Sequence, residues 1–426
     1  MSQNHTPSVA LHTVPADQRV FSGWSHASLW FSLGVGLLVM QVGAYLVPAV
    51  GTRDALWAIV IGSVLGSGLL AWTARVGCDT GLSSAGLMHR VYGSAFGHLP
   101  VLLNIVQLVG WTTFELVVMR EGTQAIVKQV TGTEVPLLVA TLLWGGVLTL
   151  LMTGSMLTLV RRFVSRIGLP LVIGSLLWLT WHFVGVAQAQ GWQAFMDAPG
   201  DGSMGFPSAI DLVIAMPVSW LPLVADYARH GRSGRSTLAG TWIGYALANA
   251  WCYALGVLVA SVSAPGPDLV TALLLAQGGL LALGLILLDE LDNAYGDVYS
   301  AAVNAQAESS RGSLRRWGVG IALACTALAL VLPMHSLEPF LLMLSSVFVP
   351  LYGVILGRLG LGRTATGPRR VDVSAAGVWV LGVAVFHLAA NFAPQWGSAL
   401  PSLALTFVLG WLTRASAGEP QAALKP

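Results

Sequence analysis

Phe31–Val50 reads FSLGVGLLVMQVGAYLVPAV and carries no Asp, Glu, Lys or Arg. A helix crossing the hydrocarbon core of a bilayer needs about 20 such residues. Working outward, this run extends back to residue 27. Eleven further apolar stretches bounded by Gly, Pro and Arg follow near 55–76, 99–128, 135–157, 164–186, 208–228, 238–262, 279–306, 314–333, 336–357, 375–393 and 398–414. Only helices and closed barrels satisfy their backbone hydrogen bonds in lipid. Continuous runs of this length exclude the roughly ten-residue alternation of barrel strands. The expected fold is an all-α polytopic membrane protein with twelve spans.

Composition agrees. Of 426 residues, 55% are hydrophobic and 9% charged, against roughly 25% charged in soluble domains, and the mean hydropathy is +0.72. A net charge of +2, with Lys and Arg scattered between spans, excludes a nucleic-acid partner. Cys78, Cys252 and Cys325 lack CxxC spacing, so neither a disulfide framework nor a zinc site is expected from them. Residues 1–26 lack the apolar core of a secretory signal, and no cleaved presequence is expected.

Cytoplasmic loops retain Lys and Arg. Loops after the even-numbered spans hold Arg75, Arg90, Arg161, Arg162, Arg166, Arg229, Arg232, Arg235, Arg311, Arg315, Arg316, Arg358, Arg363, Arg369 and Arg370. Loops after the odd-numbered spans hold only Arg53 and Lys128. This asymmetry predicts an even span count with both termini in the cytoplasm of a cell bounded by an inner membrane.

Spans 1 and 6 are both interrupted, the first by Gly34 and Gly36, the second by Met216, Pro217 and Pro222. Interruptions five spans apart suggest discontinuous helices in an inverted repeat, whose freed backbone groups line a midplane site. The expected organisation is a tail at 1–26, a first five-helix unit at 27–186, a second at 208–357, two additional helices at 375–414 and a tail at 415–426.

Carboxylates cluster where lipid should forbid them. Span 8 contains LLDELDNAYGDVYSAAV, Leu287–Val303. A charge at the bilayer centre costs about 2.5–3.5 kcal/mol on insertion scales, so such residues face a cavity and mark a substrate or ion path. Asp289, Asp292, Asn293, Gly296 and Ser300 share a broad helix face, with Asp297 one turn beyond Asn293. Span 3 contains GWTTFELVVMRE, in which Trp111 and Glu115 share a face. An indole and a carboxylate one turn apart suit a flat nitrogen heterocycle: the ring stacks while the carboxylate accepts from its N–H groups. The competing reading neutralises these acids with Arg120, which lies five residues from Glu115 and is poorly placed to reach it. In span 6, AMPVSWLPLVADYARHGR adds Trp220, and Asp226 with Arg229 as a local, structural or gating pair. His26, His182 and His387 are isolated and read as packing residues.

At GWTTFE, AMPVSWLPLVADYARHGR and LDELDNAYGDVYSAAV the sequence resembles the nucleobase-cation-symport-1 family, and within it the CytX-type branch associated with hydroxymethylpyrimidine. The resemblance implies a leucine-transporter-like fold of five-plus-five inverted helices, a bundle of spans 1, 2, 6 and 7 rocking on a scaffold, and cation-driven uptake; a monomer is the expected unit. It carries the stacking Trp of span 3 onto Trp111, the polar residue one turn later onto Glu115, and the ring-binding Asn of span 8 onto Asp297, with Asn293 a turn earlier. Val35, Met216 and Trp220 complete the implied substrate set. Replacing amides by carboxylates removes donors and adds acceptors, so the expected substrate is an aminopyrimidine such as 4-amino-5-hydroxymethyl-2-methylpyrimidine, or cytosine. The family's cation site falls on Gly34, Gly36, Leu288 and Asp292, where its usual hydroxyls are missing. Asp292 either ligates Na⁺ with nearby carbonyls or carries a proton; no other cofactor is expected. An intramembrane protease, suggested by GRSG at Gly231–Gly234 or by an Asp226–Asp297 pair, is the alternative of a different class. A transporter site requires Trp111, Glu115 and Asp297 to share one hollow.

Overall fold

The computed structural model describes residues 11, 13–154, 168–263, 269–309, 312–332, 337–361 and 369–413. Arg161, Arg162, Arg166, Arg311 and Arg363 of the charge asymmetry, and the tail at 415–426, lie outside the described residues.

Each of the twelve apolar stretches forms a helix. Thr52–Thr80, His98–Thr131, Leu169–Met196, Phe206–Ala228, Gly234–Val262, Leu314–Val331, Leu337–Leu359 and Val373–Phe392 are long and apolar enough to cross a membrane, and Leu137–Met152 and Ala399–Leu412 are shorter apolar helices. Span 1 comprises Gly23–Ser32 and Leu37–Val50, bent by 63°. Span 8 is Gly279–Glu308, an apolar first half followed by the carboxylates with Asn293, Ser300, Asn304 and Gln306. Two short helices, Ser84–Tyr92 and Leu269–Leu275, were not expected from the apolar runs. Outside helices the described backbone has only two isolated β-bridges, Phe21 with Gly231 and Gly51 with Pro199.

Local chemistry sets the helix ends. Ser22 and Ser25 form a reciprocal capping box at the start of span 1, satisfying two N–H groups that a helix start leaves free. Spans 2 and 3 end on Gly81 and Gly132, whose φ of 69° and 71° favour glycine.

Packing sorts the spans into two groups. Span 7 lies against both halves of span 1 and against span 2, and span 2 lies against span 6. Small residues permit this closeness: a Cβ on Gly256 would lie 1.9 Å from the Met40 carbonyl, and one on Gly43 would lie 2.1 Å from the Tyr253 carbonyl. Helix association in lipid relies on such close approach, because lipid tails are as apolar as the helices themselves. In the second group span 3 runs along span 8 and span 4 along span 9. Spans 10 to 12 pack together, and span 10 also meets span 6. The broken spans 1 and 6 therefore sit in one group, while the helices that face their breaks, 8 and 3, sit in the other.

Candidate functional site

At the first break the backbone is extended at Gly36, and a Cβ there would lie 2.9 Å from Glu290 Oε1. Breaking a helix frees N–H and C=O groups that must find partners. Span 8 supplies them. The Leu37 N–H, at the start of the second half, donates to Glu290 Oε1 at 2.5 Å. The Val35 carbonyl accepts from Asn293 Nδ2 at 3.1 Å, and the same amide lies 3.4 Å from Glu290 Oε2. One residue before the break, Ser32 Oγ donates to Asp289 Oδ1 at 3.0 Å and to Asp292 Oδ2 at 3.4 Å. Four polar residues on one and a half turns of span 8 thus hold the interruption of span 1.

The second break is at Trp220, between Phe206–Ser219 and Leu221–Ala228. Pro217 and Pro222 lack the N–H that would bond the Val213 and Val218 carbonyls four residues back, and Tyr253 Oη donates to the Val213 carbonyl at 3.2 Å. Span 3 supplies amides: Gln107 Nε2 donates to the Ser219 carbonyl at 3.2 Å, and Asn104 Nδ2 to the Pro222 carbonyl at 2.7 Å. Trp30 joins the breaks, its ring edge-to-face with Trp220 at 5.9 Å.

Between the breaks lies a narrow cavity of about 20 Å³, room for about one water molecule. Trp111, Glu115, Met216, Ser219, Trp220, Glu290, Asn293 and Asp297 line it, together with Leu33, Gly36, Leu38 and Val39. Three of these twelve are carboxylic acids and none is Lys or Arg. Trp111 Nε1, Glu115 Oε2 and Asn293 Oδ1 are buried with no hydrogen-bond partner among the described residues. A buried polar atom left unpaired costs about 1–3 kcal/mol, so these atoms are those a ligand would satisfy. Phe340 packs edge-to-face on Trp111 at 5.2 Å and fixes the indole's orientation.

A second, wider cavity of about 490 Å³ is lined by residues including Trp24, Ser28, Ser32, Leu33, Tyr227, Asp292 and Tyr295. Leu33 borders both cavities. The wide one opens beside the N-terminal end of span 1 and the C-terminal end of span 6, the ends toward the arginine-bearing loop of Arg229, Arg232 and Arg235.

The structure therefore brings Trp111, Glu115, Met216, Trp220, Asn293 and Asp297 to one hollow with Gly36. Other residues take different places. Val35 gives the site its carbonyl, not its buried side chain. A Cβ on Gly34 would meet Ala248 and Tyr245, so that glycine serves the packing of span 7. Leu288 is 55% exposed and cannot ligate a cation beside span 1. It precedes Asp289 by one residue, which turns it about 100° away on a helix of 3.6 residues per turn. Asp289, 3% exposed, and Asp292 both accept from Ser32 Oγ. Arg120 donates to the Ala329 carbonyl at 2.7 Å and lies 3.2 Å from Glu121, leaving Glu115 to the cavity. Asp226 accepts from the Ser84 N–H at 2.9 Å and from Ser300 Oγ at 2.5 Å. It therefore ties span 6 to span 8 and to Ser84–Tyr92, beyond any local pairing with Arg229. His26, His182 and His387 rest against Phe21, Phe183 and Phe386. The three cysteines are buried and free.

Glu290 is the site residue that the sequence reading passed over. It is 1% exposed and contacts the broken helix directly. Its place beside Asp289 in a carboxylate cluster was visible, but its partner is a backbone N–H some 250 residues away, which no side-chain pattern announces.

Residues 13–413 match the model of the family described as permease for cytosine/purines, uracil, thiamine, allantoin. The chain is 26% identical over 395 residues to the cytosine permease of Escherichia coli (strain K12), covering 88% of this chain and 89% of that protein. Among solved structures its fold is similar to the inward-facing conformation of Mhp1, with a TM-score of 0.76 at 15% identity over 97% of this chain and 92% of that one. Mhp1 is a nucleobase-cation-symport-1 family transporter, and its closed form with bromovinylhydantoin bound gives 0.74 at 15% identity over 95% and 93%. The fold is thus leucine-transporter-like, with an inverted five-plus-five repeat and two further helices. With nearly its whole length matched, the chain belongs to the family of permeases for cytosine/purines, uracil, thiamine and allantoin, and is a multi-pass membrane transporter and not an enzyme.

Proposed function

We propose that this permease imports a small aminopyrimidine, of which hydroxymethylpyrimidine and related thiamine-type pyrimidines are the preferred class, by cation symport with alternating access. The observation that carries this reading is the cavity itself: an indole, three carboxylic acids and no basic side chain around one hollow. A flat ring stacks on Trp111, while Glu115 and Asp297 accept from its N–H groups, each charge-assisted bond contributing about 1.5–3 kcal/mol. Rings that present chiefly carbonyl acceptors, such as uracil, gain less from such a wall. Glu290 adds selectivity. A helix N-terminus attracts anions, and Glu290 already occupies that position at Leu37, so an anionic substrate finds the place taken and a negative neighbour beside it.

Ser32, Asp289 and Asp292 form an oxygen-rich cluster of the kind a hard cation prefers. Na⁺ travels there as co-substrate, or Asp292 carries a proton. Filling this cluster orders the first break against span 8 and raises substrate affinity, and the substrate favours the cation by the same factor. The group of spans 1, 2, 6 and 7 then rocks on spans 3, 4, 8 and 9, the units 27–186 and 208–357 acting as the two halves. The working unit is a monomer in the inner membrane with both termini in the cytoplasm, so the wide cavity beside Asp292 opens inward.

Full-length similarity to a cytosine permease favours cytosine as a second reading. Uptake into proteoliposomes separates them, with labelled hydroxymethylpyrimidine competed by cytosine, thiamine and purines while Na⁺ and pH gradients are imposed separately. Accumulation of hydroxymethylpyrimidine against its own gradient under one of the two ion gradients is expected. Accumulation of cytosine alone overturns the substrate, and accumulation without any ion gradient overturns symport.

A further inference from the structure

Three helix ends meet away from both cavities. His89 lies in Ser84–Tyr92, His98 is the first residue of span 3, and Glu308 is the last residue of span 8. His89 Nε2 lies 3.1 Å from Glu308 Oε1, and His98 Nδ1 is hydrogen-bonded to Glu308 Oε2. The two imidazoles stand edge to face with centroids 4.9 Å apart. One ligand atom from each of the three residues falls within 4.8 Å of the others.

Two imidazoles and one carboxylate are a donor set that suits Zn²⁺ with a fourth position left to water. Bonds of 2.0–2.1 Å in a tetrahedron place ligand atoms about 3.3 Å apart, close to the 3.1 Å between His89 and Glu308. The side chains of His89, Glu308 and His98 are 13%, 23% and 56% exposed, so the group is held by the fold yet open to solvent on the His98 side. A cation there also meets the negative end of the span 8 helix dipole. A single imidazolium would suffice to neutralise Glu308; two rings turned to one carboxylate form instead a three-sided ligand shell.

We infer that His89, His98 and Glu308 form a binding site for a divalent transition-metal ion, Zn²⁺ foremost, which joins the short helix after span 2 to the ends of spans 3 and 8. That short helix is docked on span 6 through the Ser84 N–H and Asp226, so the ion lies where the two helix groups are linked.

The test uses the full-length protein without a histidine tag, in detergent, titrated calorimetrically with zinc chloride. One saturable site is expected. His89→Ala, His98→Ala and Glu308→Gln should each weaken it about tenfold or more, ligands mattering at least as much as the residues behind them. His387→Ala on the surface of span 11 should leave it unchanged. Cobalt chloride provides a direct signature, since Co²⁺ held by these ligands gives visible absorption that disappears in the same variants. Alanine at half-exposed His98 threatens folding least and is decisive. Absence of saturable binding by the folded parent, or His98→Ala binding within about twofold of it, overturns the site.

Discussion

Span 1 and span 6 each hand backbone groups at their breaks to an unbroken helix of the other packing group. The partner residues differ in kind. Span 8 meets the first break with Asp289, Glu290, Asp292 and Asn293, whereas span 3 meets the second with the neutral amides Asn104 and Gln107. Amides complete a hydrogen-bond ladder without carrying charge. Carboxylates complete it while also drawing in cations and N–H donors, at the cost of holding charge in a poorly solvated place. The second break is therefore structural in chemistry and the first is equipped for ligands; their geometry differs too, the first bending its span by 63° while Phe206–Ala228 continues as one span.

Removing the carboxylate that touches the first break should have the largest effect. Glu290→Ala leaves the Leu37 N–H without its acceptor and opens the position to anions; we expect uptake to fall about a hundredfold, in line with a charged hydrogen bond of up to ~3 kcal/mol. Uptake within a few fold of the parent would mean that Glu290 only fills space.

Asp292→Asn probes the cation side of the same break. Half-maximal uptake should require about tenfold more of the coupling ion, with the maximal rate less affected, as measured by titrating Na⁺ and pH separately. An unchanged ion dependence would remove Asp292 from the cluster.

Asn104→Ala and Gln107→Ala supply the contrast at the second break. Each should lower stability by about 1–3 kcal/mol, the cost of an orphaned buried carbonyl, as seen in a thermal melt, while ion dependence stays as in the parent. If these variants altered ion dependence as strongly as Asp292→Asn, the distinction between the two breaks would fail.

Far from both breaks, Arg358 pairs with Asp372 at 2.8 Å at the start of span 11. Burial pushes the Asp372 carboxyl up, but hydrogen bonds from Arg358, the Ala375 N–H and Ser374, with the guanidinium charge, outweigh it and hold the group at about 2. A depressed carboxyl stabilises the fold above its ordinary value of 3.8, and that stabilisation is lost as pH falls toward 2. Asp372→Asn should therefore lower the melting temperature modestly at neutral pH and flatten its decline between pH 4 and 2. An identical acid profile in parent and variant would contradict the pairing.

The twelve helices and both breaks were legible because lipid imposes length and apolarity on every span, and because Gly34, Gly36, Pro217 and Pro222 are written into otherwise continuous runs. Trp111 and Glu115 were legible as neighbours because helical spacing puts them on one face; Asp297 of span 8 joined them only through the family resemblance. Leu288 was misplaced because a family register was followed where helix phase pointed to Asp289. Glu290 was missed because it answers a backbone group. His89, His98 and Glu308 were invisible because 210 or more residues separate the histidines from the acid. Ser84–Tyr92 and Leu269–Leu275 escaped because they are too short to carry a spanning signal.

The most direct measurement is equilibrium binding of labelled hydroxymethylpyrimidine to purified parent and Asp297→Asn, with cytosine as competitor. Affinity about tenfold or more weaker in the variant is expected, as one charge-assisted hydrogen bond is worth about 1.5–3 kcal/mol. Equal affinity of parent and variant for every aminopyrimidine tried would contradict a substrate held between Trp111, Glu115 and Asp297.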